Sequence, residues 1–484
     1  MDLHILHSND VHSELRQFAV LVSSLRGLRK ELQKRGLRVL SFDIGDHIDM
    51  SYPFSTATNG IINADALRVS EYDGWVLGNN ETVTVDPAFW NDIITRANTP
   101  LFCANLELPS AHPHLTKARL FTYPEVVVGV FGVTVQYPKL HEALGVAVRE
   151  PVAVAWELAQ QLRAQGADIV IMLSHLGLHI DQQLADEGLP VDVIVGSHTH
   201  HFLDGGQKRG NTWICQAGKR ALAFGHTVLS IKDRQLQSVR ADLVYTDLRD
   251  AADCTVLQSL QEHCHEAQDW LGEPVAELRQ KLEHSLYRES QLVNLLCDQM
   301  REESHAEIAI LHGGIVGASF REGIVRRQDL LFNCPSPMRS VTLRATGAVI
   351  AELLIRHLRM EQIMSQGYGY GFRGYFTGRL HVSGAEIRTR MDVKEDGSGQ
   401  EQIVAIEIGN EPLQKDRLYS LATSEFVMLS PAFPELSGAD FDYGAELLRD
   451  MLGHALPNAD KVSRATIPRY RDIWQEGGKW DCHA

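Results

Sequence analysis

The sequence is short of positive charge: 46 Lys and Arg stand against 62 Asp and Glu, a net charge of −16. A chain this acidic offers no basic stripe, which argues against a nucleic-acid polymer as partner. A small phosphorylated ligand stays open, because bound cations supply local positive charge that the total does not count. Cysteine is scarce too. Cys103, Cys215, Cys254, Cys264, Cys297, Cys334 and Cys482 are scattered and odd in number. That argues against a disulfide framework and for free thiols in a reducing cytoplasm. Long hydrophobic runs are missing. The most apolar stretch, residues 126–133, falls well short of the roughly 20 residues that span a bilayer, so no membrane partner is expected. The first residues, Met1-Asp2-Leu3-His4-Ile5, have neither a basic region nor an apolar core, so no secretory signal is expected. The sequence also has no Gly-x-Ser-x-Gly elbow, P-loop or dinucleotide fingerprint.

What is present is a globular balance of 44% apolar and 22% charged residues, over a length that suits two or three domains. Short Val/Ile/Leu runs at 3–7, 39–42, 75–77, 101–104, 126–133, 169–173 and 191–195 read as strands. Amphipathic stretches at 15–35, 57–69, 87–97 and 152–165 read as helices between them. Strands that are nearly all aliphatic, separated by helices, predict sheet covered on both faces. From residue 212 the pattern becomes richer in strand. Residues 248–290, with little Gly or Pro, read as a helical connector, and a second α/β unit follows. The run 394–402 reads as a surface turn.

Five segments at the ends of strand-like runs hold most of the potential metal ligands. They are His7-Ser8-Asn9-Asp10-Val11-His12, Asp43-Ile44-Gly45-Asp46-His47, Gly78-Asn79-Asn80-Glu81, Ser174-His175-Leu176-Gly177 and Gly196-Ser197-His198-Thr199-His200-His201. Each alone is an ordinary polar loop tip. Together they matter, because the carboxyl ends of strands in an open α/β sheet share one crevice where ligands bind. Carboxylate, amide and imidazole without thiolate suit Mn, Fe, Zn or Co. Two such cations close together activate a water and clamp a phosphoryl group. His263-Cys264-His265 is set aside, since neighbours on a helix point in different directions, and Cys482-His483 is read as a tail.

On these motifs the chain resembles the bifunctional metallophosphatase/5′-nucleotidase (UDP-sugar hydrolase) family, closest to its YunD-like cytoplasmic branch. The resemblance implies an α/β fold: a calcineurin-like metallophosphoesterase domain, a four-layer αββα sandwich, at 1–247. A helical connector at 248–289 would lead to a C-terminal α/β 5′-nucleotidase-type substrate-recognition domain at 290–484. It also implies two divalent metal ions. Asp10, His12 and His200 match the ligands of one, and Asn79, His175 and His198 those of the other. Asp46 matches the bridging carboxylate. The implied activity is hydrolysis of nucleotide-like phosphate esters or anhydrides by a dinuclear-metal-activated hydroxide.

One position departs from the family. Where most members have a phosphate-contacting histidine, paired with an aspartate three residues on, this chain has Asn80 and Val83. Asn80 can donate a hydrogen bond to a phosphoryl oxygen but cannot carry charge. His47 and His201 are the candidates to compensate, alongside the metals. In the C-terminal half, His312-Gly313-Gly314 sits where the family has an Asn-Gly-Gly turn, and Val316 near an expected arginine. Phe372 and Phe426 fall near the expected base-stacking loops, with Arg373 suited to phosphate or carboxylate. The same residues also read as a packed Gly-rich hairpin, a core phenylalanine and a surface ion pair. Two other functions stay open: a phosphodiesterase on cyclic nucleotides or other diesters, and a metal- and nucleotide-binding sensor with weak catalysis.

Overall fold

The first strand, Asp2–Ser8, is buried on both faces from Leu3 onward, as its unbroken apolar character requires. It runs parallel to Arg38–Asp43 and antiparallel to Ala223–Lys232. These three lie inside a seven-stranded sheet whose edges are Gln235–Tyr245 and Leu115–Thr116. A six-stranded sheet has Val193–Gly196 and Ile169–His175 at its centre, again parallel. The computed structural model describes residues 1–108, 112–369, 371–393 and 399–473.

The inner faces of the two sheets share one core. Ile5, Phe42 and Phe102 from the first meet Val128, Ile171 and Val193 from the second, all with no exposed surface. Helices cover the outer faces. Leu15–Lys34 buries Phe18, Leu21, Val22 and Leu25, one stripe at helical spacing, in a cluster that also holds residues of Ile61–Ser70 and Trp90–Ala97. Pro151–Ala164 and Leu178–Asp186 contribute to the cluster behind the second sheet. The result is the four-layer αββα sandwich. The helix expected over 57–69 is in fact two, Pro53–Ala57 and Ile61–Ser70. Gly60 separates them with a left-handed backbone (φ 83°).

The chain divides into two compact units, Met1–Asp269 and Trp270–Ala484. Helix Cys254–Gly272 lies within the stretch read as a connector. Through Asp269 it belongs to the first unit: Asp253, just before the helix, pairs with Arg26 at 2.8 Å, and His263 Nε2 lies 2.8 Å from Asp65 Oδ2. Residues after it are not helical. Pro274–Leu278 is a strand paired with Gly323–Arg326, where a helix was expected.

In the second unit a five-stranded sheet runs Leu380–Ser383, Ile308–His312, Leu418–Ser424, Arg339–Thr346, Phe441–Leu447. Helix Gln291–Ser304, capped by Ser290 Oγ, buries Leu292, Leu295, Leu296 and Met300 in its core. A four-stranded sheet includes Ala385–Val393 and Gly399–Ile408. Residues 399–402 therefore belong to a strand rather than to the turn expected over 394–402, and 394–398 lie outside the described residues. Among the described residues no helix is long and apolar enough to cross a membrane.

Candidate metal centre

Five strand ends, three from the first sheet and two from the second, deliver the loops of the first unit. Asp10 and His12 follow Asp2–Ser8, and Asp46 follows Arg38–Asp43. Asn79 and Asn80 open the short helix Asn79–Val83 beyond Gly74–Trp75. His175 ends Ile169–His175, and His198 and His200 follow Val193–Gly196. Because these strands are parallel within each sheet, their carboxyl ends share one rim.

Two groups of donor atoms meet there, each within 4.8 Å: Asp10 with His12 and His200, and Asp46 with His175 and His198. Asp46 links them. Its Oδ2 lies 3.8 Å from His12 Nε2 and its Oδ1 lies 3.4 Å from His175 Nε2. Asn79 Oδ1 is 3.3 Å from His175 Nε2. His12 Nε2 and His200 Nε2 converge at 3.1 Å, with Asp10 Oδ1 3.6 Å from the latter. Burial and the neighbouring charges act on these groups strongly. Burial pushes the Asp10 carboxyl up. Burial also works against the Asp46 carboxylate, yet His175 and His12 hold it well below the usual range. Burial disfavours the His175 imidazolium, but Asp46 and Asp10 lift it to about 10. Burial takes His198 down to about 4, aided by His175, and His200 down to about 3, aided by His12. Carboxylate, amide and imidazole groups crowded this closely fit a divalent cation, and the absence of a thiolate from the group fits a borderline or harder one.

The backbone is bent to achieve this. Asp10 (φ 45°), His12 (47°), Asp46 (50°), His198 (74°) and His200 (62°) all adopt left-handed conformations, uncommon outside glycine. Gly78 is required by close approach, since a Cβ there would lie 2.1 Å from Asp46 Oδ1 and 2.6 Å from His175 Cε1.

The 5′-nucleotidase C-terminal domain family matches residues 274–431. The metallophosphoesterase YunD of Bacillus subtilis, itself uncharacterized, is 31% identical over 471 residues, covering 94% of this chain and 99% of that one. The chain belongs to the metallophosphoesterase/5′-nucleotidase family. Its members are hydrolases of phosphoric ester bonds. A 5′-nucleotidase of Diplobatis ommata is 22% identical over 486 residues, covering 88% of this chain and 82% of its own. The fold is shared with the solved NAD nucleotidase of Haemophilus influenzae, at TM-score 0.67 and 16% identity over 98% of this chain and 97% of that one.

At the position where the resemblance implies a histidine, Asn80 is buried and turned onto Asp46. Its Nδ2–H donates to Asp46 Oδ2 at 2.7 Å and its backbone N–H to Oδ1 at 2.8 Å. His47, one of the two candidates to compensate, is fully buried, its Nδ1 3.4 Å from Asp43 Oδ2 and its ring edge-on to Phe18. His201 is exposed, with Nδ1 2.9 Å from Thr199 Oγ1. Sequence reasoning missed several supports. Glu81 accepts from the N–H groups of Gly78 (2.7 Å), Ile48 (2.7 Å) and Asp46 (3.1 Å), tying two ligand loops together. Asp49 Oδ2 sits 3.2 Å from His12 Nδ1, and Ser197 Oγ donates to Asp10 Oδ2 at 2.6 Å. Glu81 was in view as part of Gly78-Asn79-Asn80-Glu81. Asp49, three residues past Asp46, carried no motif signal.

The family resemblance marked Phe372, Arg373 and Phe426 for substrate. Phe372 and Phe426 are buried and stack on each other, centroids 4.4 Å apart at 18°. His312 packs against both, its ring driven to about 3 by burial. The pair leaves no gap for a planar base. Gly367 and Gly374 press against Phe372, so the glycines serve packing. Arg373 is exposed, its N–H donating to Ser336 Oγ at 2.9 Å. On the same loop Tyr368 and Tyr375 are each 72% exposed, and Tyr370 lies outside the described residues.

Proposed function

We propose that this enzyme hydrolyses phosphate esters or anhydrides of small nucleotide-like molecules, using two divalent cations of the Mn, Zn, Co or Fe type. Asp10, His12 and His200 would hold one cation and Asn79, His175 and His198 the other, with Asp46 shared. The observation that carries this is the Asp46 carboxylate, whose two oxygens face His12 and His175 separately. Such a pair of cations polarises a phosphoryl oxygen and makes water acidic enough to attack phosphorus. The chain's own residues have defined tasks. Asn80 fixes both oxygens of Asp46 rather than orienting a phosphoryl oxygen. Glu81 and Ser197 hold the loops, and Asp49 orients the His12 ring.

Nucleoside recognition is assigned to the second unit, on its match to the 5′-nucleotidase C-terminal domain. There Tyr368 and Tyr375 are better disposed than Phe372 and Phe426 to receive a base, because their rings are exposed. Unpaired cysteines at the described positions support a reducing, cytoplasmic setting.

The test is metal analysis of the purified protein, with parallel assays on AMP, UDP-glucose, 2′,3′-cyclic AMP and bis-p-nitrophenyl phosphate. Turnover of AMP or UDP-glucose with bound Mn, Zn or Co is expected, and Asp46→Ala should lose metal and activity together. Full activity in that variant would refute the assignment. Turnover of the diesters alone would make the enzyme a phosphodiesterase.

A further inference from the structure

Positive charge is scarce in this chain, yet four guanidiniums meet at one place in the second unit. Arg301, Arg464, Arg469 and Arg471 line a cavity of about 270 Å³, against three carboxylates, Asp298, Glu302 and Glu386.

Local structure puts them there. Asp298, Arg301 and Glu302 stand at i, i+3 and i+4 of helix Gln291–Ser304, so they share one face. Arg469 and Arg471 flank Tyr470 at the strand Tyr470–Asp472, where side chains alternate. Both therefore project away from Tyr470, whose hydroxyl donates to the Leu380 carbonyl at 2.9 Å. Gly384, in the turn after Leu380–Ser383, takes a left-handed backbone (φ 79°). A Cβ there would lie 2.9 Å from Arg301 Cδ, so glycine gives the arginine stem room to cross the turn.

The ion pairs do not use up the charge. Arg469 takes Asp298 at 2.8 Å and Arg471 takes Glu386 at 3.2 Å. Glu302 is shared between Arg464 at 2.9 Å and Lys461 at 2.7 Å. Arg301 is left without a carboxylate. It is half-buried, and its Nε–H donates to Ser383 Oγ at 2.8 Å, which holds the guanidinium in place. Among the described residues its remaining N–H groups meet no acceptor. A guanidinium sheds water readily, and its fork matches the oxygens of a phosphate or carboxylate.

We infer that this cavity binds a small phosphate-type oxyanion, with Arg301 as its anchor. Pockets for drug-sized ligands run from about 300 to 1,000 Å³. The smaller volume here suits inorganic phosphate, or the phosphate end of a short ester, rather than a whole nucleotide. Every residue of the site lies in the second unit, and none belongs to the metal cluster.

The experiment titrates inorganic phosphate by calorimetry into Asp46→Ala, in which the proposed metal centre is disabled, and into the Mn-loaded wild type. Asp46→Ala should still bind phosphate. Adding Arg301→Gln should weaken that binding about 10- to 100-fold, the range for losing hydrogen bonds to a charged group. Arg464→Gln should weaken it less, and Arg301→Lys should recover part of the loss. In the Mn-loaded wild type, Arg301→Gln should remove one bound phosphate per chain and leave the Mn content unchanged. Glycerol 3-phosphate that binds Asp46→Ala as tightly as phosphate would make a terminal phosphate group sufficient, and weaker binding would mark the free ion as the ligand. Arg301→Gln that binds phosphate within about twofold of its parent in both backgrounds, as for a solvated network of ion pairs, would overturn the inference. So would an Asp46→Ala protein with the wild-type circular dichroism spectrum that binds no phosphate.

Discussion

Asn80 grips Asp46 twice, with its side-chain amide at 2.7 Å from one carboxylate oxygen and its backbone N–H at 2.8 Å from the other. Both oxygens of the carboxylate proposed to be shared by two cations are thereby held by one residue. The residue standing where the resemblance implies a histidine is a support for the carboxylate at the centre of the cluster.

Removing that support should loosen the metals before it harms the fold. Partners that orient a metal ligand typically contribute about 10- to 100-fold in metal affinity or activity. Asn80→Ala is expected to fall in that range while keeping the wild-type circular dichroism spectrum. Titrating Mn against each protein under a competing chelator checks it. Unchanged Mn affinity would mean that the backbone contact alone positions Asp46.

The aromatic pair in the second unit leads to a different kind of effect. Phe426 has no exposed surface and stacks on Phe372 within the core. Truncating a buried phenylalanine costs about 3–5 kcal/mol through lost burial and the cavity left behind. Phe426→Ala should therefore lower stability by about that amount in urea denaturation. Tyr375→Ala and Tyr368→Ala should leave stability nearly unchanged and raise KM for AMP without a matching loss of kcat. A rise in KM confined to Phe426→Ala, with stability intact, would return base stacking to the phenylalanines.

The loops whose Asp and His side chains converge were legible because their signal is local. Apolar runs ending in Asp-x-His, Gly-Asp or His-x-His mark strand ends, and parallel strands bring their ends together. The supports were not legible, because they depend on which loops meet. Ser197 and Asp10 are 187 residues apart in the chain, and Asn80 and Asp46 are 34 apart. The burial of Phe372 was not legible for another reason. A Gly-rich aromatic loop looks alike whether its rings face solvent or core, and only packing separates Phe372 from Tyr375. The strand Pro274–Leu278 was hidden by a helix-like composition around it, although Pro274 itself disfavours helix interior.

Asp65 couples pH to the attachment of the helix Cys254–Gly272. Its buried carboxylate meets His263 at 2.8 Å, Arg96 at 2.7 Å and Arg68 at 3.1 Å. Burial opposes its charge, but the hydrogen bonds from His263 and Arg96 hold its pKa well below the usual value. A depressed folded-state pKa stabilises above the unfolded-state value and loses that contribution as pH falls. Wild-type stability from this group should thus be full at neutral pH and decline once pH drops below about 4. Asp65→Asn should melt earlier than wild type at pH 7, and the gap should narrow in acid. Thermal melts at neutral and acid pH check this, and a gap that widens in acid would contradict the sign.

Chelation should act on one unit and spare the other. Five proposed ligands, Asp10, His12, Asp46, His198 and His200, take left-handed backbone, and each such residue stores on the order of 1 kcal/mol or more. Buried carboxylates and facing imidazole nitrogens add repulsion that a bound cation would relieve. A cation present at about a thousand times its dissociation constant adds about 4 kcal/mol to the folded state. All of that falls on the unit Met1–Asp269, since the core of Trp270–Ala484 is built from residues 276–465 and contains none of the ligands. Calorimetry of the Mn-loaded protein before and after EDTA should therefore show one transition moving down while another stays in place. Adding Mn back should restore it in wild type but not in Asp46→Ala. If EDTA moved both transitions equally, or neither, the strained loops would not be held by metal.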